Sequence, residues 1–172
     1  FNLSRRQALW QVIGFVRENE NTLNFPSNQK PPMFSELSDF ETVSWDFACS
    51  GYSIHAHPLA PLRPQLSAIK LLCASDLSTQ KNGSRIRFAG MVICRQRPST
   101  AGGVTFMTLE DETGFANLVI WKNVYEAYEM LAQTASLLGV IGKIQAKDGV
   151  VHLIAEQLFL PKIAAPKSIQ SR

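Results

Sequence analysis

The stretch Val104-Thr-Phe-Met-Thr-Leu-Glu-Asp-Glu-Thr-Gly-Phe-Ala-Asn-Leu-Val-Ile-Trp121 decides the fold. Apolar residues recur at every second position on both sides of Asp111-Glu112-Thr113-Gly114. Period two is the signature of a strand with one buried face, and an acidic-polar-Gly cluster between two such runs is a turn. Val104 to Glu110 and Phe115 to Trp121 therefore read as the two arms of a β-hairpin.

The pattern extends in both directions. Upstream, Arg85 to Arg95 is rich in Ile, Val and Phe and reads as a preceding strand, joined to the hairpin by the flexible Pro98 to Gly103. Downstream, Val124, Tyr128 and Leu131 lie at helical spacing and predict one amphipathic helix over residues 122 to 133. Leu137 to Gln145 and Val150 to Leu158 then form a second hairpin, turned at Lys147-Asp148-Gly149. Three strands, a helix and two strands is the connectivity of a five-stranded OB barrel. An SH3-like barrel lacks a full helix at that point, and a ferredoxin-like fold needs a second long helix.

Before Gly83 the periodicity is helical or absent. Ser4 is a candidate N-cap for a helix to residue 20, with Leu9, Val12, Ile13 and Val16 on one side; Arg5, Arg6 and Arg17 either touch phosphate or form a solvated basic face. Residues 21 to 34 hold three prolines and read as a loop. Phe40, Val43 and Phe47 predict a second helix from Ser38 to Ser50, stopped at Gly51. Prolines 58, 61 and 64 forbid a long helix in the segment that follows. The expected class is α+β: an N-terminal helical segment and connector (1–82), an OB-fold (83–161) with one helix between strands three and four, and a flexible tail (162–172).

Of the 172 residues, 45% are hydrophobic and 18% charged, enough for a buried core and too balanced for a disordered tail. The net charge of +3 lies wholly in the second part: 7 basic against 7 acidic residues up to position 82, and 10 against 7 after it. That surplus permits a polyanionic partner without requiring one. No long apolar run or signal-peptide pattern is present, so a cytoplasmic protein with no membrane partner is expected. Cys49, Cys73 and Cys94 are far apart and read as reduced, half-buried thiols.

Chemistry-bearing residues point to binding rather than catalysis. OB-folds take ligands on the face of strands two and three. If Met107 and Leu109 fill the barrel, Phe106 and Thr108 face outward, and Phe106 offers a ring to an unstacked base; in the opposite register Phe106 is a core residue. Arg95 and Arg97 precede Pro98 to Gly103, whose glycines allow close approach to phosphate. Lys122, Lys143 and Lys147 extend a basic track or are solvated surface lysines. His55 and His57 lack further ligands, Glu110-Asp111-Glu112 sits where a turn wants Asp for backbone reasons, and no converging carboxylates or nucleophile motif is found. No metal site, cofactor or catalytic residue is expected in this chain. Gln157-Leu158-Phe159-Leu160-Pro161 resembles the short peptides that dock on sliding clamps, or is simply the end of a core strand.

The stretch Phe106-x-x-Leu109-x-Asp111-x-x-Gly114-x-x-Asn117 resembles the hairpin of anticodon-type OB domains, and the resemblance implies that Phe106 stacks on a base while Asn117 hydrogen-bonds one. Arg95-Gln-Arg-Pro98, the hairpin, Trp121 and Val151-His-Leu-Ile-Ala-Glu156, with the earlier Leu3-Ser-Arg-Arg-Gln-Ala-Leu-Trp10 and Gly51-Tyr-Ser-Ile-His-Ala-His-Pro-Leu59, resemble the C-terminal region of bacterial error-prone C-family DNA polymerases, of the polymerase III alpha-subunit type. That resemblance implies a non-catalytic fragment of a DNA-directed DNA polymerase that uses magnesium and deoxynucleoside triphosphates in gap filling, translesion synthesis and repair. It implies single-stranded DNA or primer-template as ligand, and a sliding clamp and lesion-bypass proteins as partners, unless the OB face docks protein instead. The residues expected to contact nucleic acid are Arg95, Arg97, Phe106, Thr108, Asn117, Trp121, Lys122 and Lys147.

Overall fold

A computed structural model describes residues 5–20, 34, 37–50, 53–54, 56–147 and 149–163. The expected N-cap Ser4, the loop at 21–33, the helix stop at Gly51, His55, the turn residue Asp148 and the tail from 164 lie outside them. Two compact units meet between Ser38 and Asp39. The first contributes helix α1 (Arg5–Glu20), on which Leu9, Val12 and Ile13 are exposed.

The second unit is built on a closed barrel. Its strands are β1 (Arg85–Gln96), β2 (Thr105–Asp111), β3 (Gly114–Ile120), β4 (Leu137–Lys147) and β5 (Val150–Phe159), in the order β1-β2-β3-β5-β4. All neighbours are antiparallel except β3 and β5, which close the barrel in parallel through Asn117 to Val119 and His152 to Ile154. Phe88, Leu109, Leu118, Ile120, Leu138, Val140, Ile144 and Leu153 fill the interior, each at most 1% exposed.

Two devices let a flat pattern close. β1 pairs with β4 through Arg85–Met91 and with β2 through Met91–Gln96, and a bulge between Val92 and Cys94 bends it from one partner to the other. β5 carries a second bulge at Glu156, opposite Ile141 and Gly142 of β4, where a Cβ on Gly142 would stand 2.2 Å from the Ile154 carbonyl oxygen. Only glycine lets the backbones approach this closely.

Between β3 and β4 lie two short helices rather than one, α5 (Lys122–Ala127) and α6 (Glu129–Thr134). The break falls at Tyr128, whose N–H is shared between the Val124 and Tyr125 carbonyls. The Ala132 N–H still bonds the Tyr128 carbonyl, so the apolar spacing survives the break and the sequence pattern cannot reveal it. Tyr125 and Ala132 are both buried against the barrel.

The segment before Gly83 divides differently from the expected boundary at 82. Helix α2 (Asp39–Ser50) is followed by a 3-10 turn (Ala60–Leu62) and α3 (Arg63–Ala68), both kept short by Pro58, Pro61 and Pro64, and then by α4 (Ala74–Leu77). Leu59, Leu62, Leu66 and Leu71 form a second core with Ala89, packed against Met91, Leu137 and Phe159 on the outside of β1, β4 and β5. Leu72 bridges Phe88, and Ala74 and Leu77 join the barrel core. Residues 59–77 are thus part of the barrel's packing, because the barrel's first strand would otherwise expose its outer apolar side.

A buried carboxylate locks this connector to the hairpin. Asp111, 3% exposed, accepts from the Ala74 N–H at 2.8 Å, from Arg63 Nη2 at 2.9 Å, and from the Thr113 N–H and hydroxyl at 2.8 and 2.7 Å. Arg63 also pairs with Glu112 through Nε and Nη2. Asp111 therefore does more than shape its turn: two of its partners lie 37 and 48 residues upstream. Cys73 and Cys94 are half-buried thiols, and the Cys73 thiol donates to Asp76 Oδ2 at the start of α4; Cys49, on α2, is exposed instead. No helix among the described residues is long and apolar enough to cross a membrane.

Candidate nucleic-acid interface

The connector packs on the outside of β1, β4 and the Phe159 end of β5, while Phe106 of β2, Phe115 of β3 and Val150 of β5 are exposed. Alternation places the side chains there. Thr105, Met107, Leu109 and Asp111 of β2 are buried, as are Ala116, Leu118 and Ile120 of β3, so Phe106, Thr108 and Glu110, with Phe115, Asn117 and Val119, stand on the outer face. The register with Met107 and Leu109 inward holds, and Phe106 is 40% exposed.

Cross-strand pairing groups these residues into rows. Gln96, Phe106, Val119, Ile154 and Lys143 follow one another across β1, β2, β3, β5 and β4. The adjacent row runs Cys94, Thr108, Asn117, His152 and Gln145. An exposed ring beside a row of hydroxyl, amide and imidazole groups can stack on one base and hydrogen-bond the edge of another. His152 Nδ1 is buried with no hydrogen-bond partner among the described residues, an unsatisfied polar atom in this row.

The cationic residues are distributed differently from the expectation. Because the bulge at Val92/Cys94 shifts the register by one residue, Arg95 stands opposite Met107 and is turned towards the end of the barrel closed by α6. Its Nε donates to the Ala132 carbonyl at 2.9 Å and an Nη donates to the Ala135 carbonyl. The Arg97 guanidinium lies 4.2 Å from the centre of the Tyr125 ring, also on the helical end. Neither arginine shares the Phe106 face. Arg95→Ala is expected to cost about 1–3 kcal/mol of stability by leaving two carbonyls at a helix end without their charged donor. DNA affinity should change little; urea denaturation beside a DNA titration separates the two effects.

Trp121 continues the outer row of β3, 53% exposed, and Lys122 follows it at the start of α5, paired at 3.8 Å with Glu126. Lys122 packs against Gly103, so it sits beside the loop between β1 and β2. Lys147 is exposed at the far end of β4, opposite Val150. Lys143 is engaged by Glu156 at 3.4 Å, and Arg85 bonds the same carboxylate at 2.7 Å, holding it below the usual carboxylate range. Lys122 and Lys147 thus mark opposite ends of the open face.

Other candidates fall away. Among the described residues no three His, Cys, Asp or Glu side chains cluster as a metal site. His57 Nδ1 accepts the Leu59 N–H at 3.1 Å, and burial lowers its pKa against the pull of Glu110 and its acidic neighbours. In the clamp-like Gln157 to Pro161, Leu158 is buried in the barrel and Phe159 packs in the second core.

Comparison with known proteins agrees with this architecture. Residues 86–161 match the tRNA anti-codon family, described as an OB-fold nucleic acid binding domain. Error-prone DNA polymerases from Caulobacter vibrioides and Alkalilimnicola ehrlichii are 40% and 43% identical over 161 and 154 residues. In each case the match takes in 90% of this chain and 15% of the relative. A third, from Rhodopseudomonas palustris, is 39% identical over 171 residues, or 91% of this chain and 14% of its own. Among solved structures, asparaginyl-tRNA synthetase from Pyrococcus horikoshii superposes with a TM-score of 0.47 at 22% identity, over 56% of this chain and 24% of its own. Over nine-tenths of its length this chain is therefore similar to a segment, about 15% of the whole, of bacterial error-prone DNA polymerases, and that segment includes a match to an OB-fold nucleic acid binding domain.

Proposed function

We propose that this segment grips single-stranded template DNA on behalf of an error-prone DNA polymerase, through the outer face of β2 and β3. The observation that carries the reading is the outward, 40% exposed ring of Phe106 one row from Asn117 on a barrel whose opposite side is covered. Stacking on a π-face is tolerant of sequence because every base has one, which suits a module that must accept any template. Phosphate contacts from Lys122 and Lys147 add affinity that falls with salt. On this reading the chemistry belongs to the longer polymerase: template-directed nucleotidyl transfer with magnesium and deoxynucleoside triphosphates, gap filling and lesion bypass in the cytoplasm, and docking on a sliding clamp and lesion-bypass proteins.

The test is fluorescence anisotropy of a labelled single-stranded oligonucleotide titrated with the protein at low and moderate salt, with duplex and RNA controls. Saturable binding that prefers single-stranded DNA is expected, and its logarithmic salt slope should flatten by about 0.7 in Lys122→Ala and again in Lys147→Ala. Preference for RNA would move the reading to an anticodon-type binder. Absence of saturable binding up to about 100 μM protein, the weak end of non-specific affinities, would reject the DNA-grip reading.

A further inference from the structure

Phe115 is the most exposed ring on the barrel, 63% accessible, and it packs in neither core. A single exposed apolar side chain is ordinary and by itself carries nothing. Its register is what matters. Phe115 stands on the outer face of β3, two residues before Asn117 and four before Val119, the residue paired with Phe106. At the strand rise per residue, Phe106 and Phe115 are separated by about 13 Å along the strands and by one strand spacing across them. That is close to the reach of two nucleotide steps in an extended, unstacked strand. Between the two rings, one row from Phe106, lie Thr108, Asn117 and His152. This middle row offers a hydroxyl, an amide and an imidazole whose Nδ1 has no partner among the described residues, and no phenyl ring.

We infer that Phe115 is a second stacking platform and that the face holds three consecutive nucleotides. The outer two stack on Phe106 and Phe115, and the middle one lies over Asn117 and His152, which meet its base edge. Lys147 pairs with Val150, two residues before the Asn117 partner His152, and so lies towards the Phe115 end of the face, placed for the phosphate beyond the third nucleotide. This inference rests on the DNA-grip reading and adds a footprint, a polarity-independent spacing and two residues to it.

The experiment is competition of unlabelled oligothymidylates, from two nucleotides up to about eight, against a labelled longer strand, a range that reaches the usual OB-fold site sizes. Wild-type protein, Phe106→Ala, Phe115→Ala and Phe115→Tyr are compared, with a thermal melt of each to confirm folding. Affinity of the wild type is expected to rise steeply between two and four nucleotides. Phe115→Ala should lose that rise, about tenfold in affinity at four nucleotides and beyond, while binding the dinucleotide like the wild type; Phe115→Tyr, which keeps the ring, should restore it. Phe106→Ala should be weak at every length. If Phe115→Ala matches the wild type at all lengths while Phe106→Ala is weakened, the three-nucleotide footprint is overturned and the DNA grip stands. If the wild type binds at no length, both fall.

Discussion

Phe106→Ala is expected to weaken single-stranded DNA binding by about 1–3 kcal/mol, or roughly five- to 150-fold, while leaving the melting temperature close to that of the wild type. The asymmetry follows from where the ring sits. Its immediate neighbours Thr105 and Met107 are 2% and 3% exposed and belong to the interior, whereas Phe106 is 40% exposed and outside both cores. Truncation therefore opens no cavity, and the lost contact is one made to a ligand. Anisotropy titration beside a circular-dichroism melt measures both. A variant that binds normally would remove Phe106 from the interface; one that unfolds would return it to the core.

Asp111→Ala should do the reverse, destabilising the barrel by about 3–5 kcal/mol, a large share of the 5–15 kcal/mol that holds a typical domain together. The carboxylate is buried, and its removal strands the Ala74 N–H, the Thr113 N–H and one edge of the Arg63 guanidinium. Burial works against the charge on Arg63, yet the hydrogen bond and charge of Glu112 and the charge of Asp111 outweigh it and raise its pKa. With Asp111 gone, that cation keeps only the partly exposed Glu112 and the Leu72 carbonyl, 3.4 Å away. The expected result is a melting temperature lower by more than about 10 °C. Asp111→Asn, which keeps the shape and one acceptor, should lose less. A wild-type melt for Asp111→Ala would mean that the connector is held by Leu59, Leu62, Leu66 and Leu71 alone.

These two residues lie five positions apart in one hairpin, and only one of their roles was legible beforehand. Phe106 could be placed outward because alternation in β2 is local: once Met107 and Leu109 go in, their neighbour goes out. The same rule applied to β3 would have found Phe115, which shares its parity with Asn117. Asp111 looked like a turn residue, and it does bond Thr113, but Arg63 and Ala74 reach it from far upstream where no local pattern points. Charge and proximity to glycines point Arg95 and Arg97 to the binding loop. One bulge between Val92 and Cys94 turned them to the helical end, since a single inserted residue reverses the side of every residue after it.

Legible from residue order alone are therefore the succession of strands, the helical stretch between the third and fourth, and the alternation that exposes Phe106 and Thr108. Each depends on residues within a few positions of one another, where backbone geometry ties side-chain direction to sequence spacing. The folded chain adds which side of the barrel is covered, that residues 59–77 pack with it, and that β5 brings His152 beside Asn117 in parallel. Those outcomes are contacts between segments dozens of residues apart, set by which apolar surfaces must be covered once the barrel closes, and periodicity along the chain has no means of recording them.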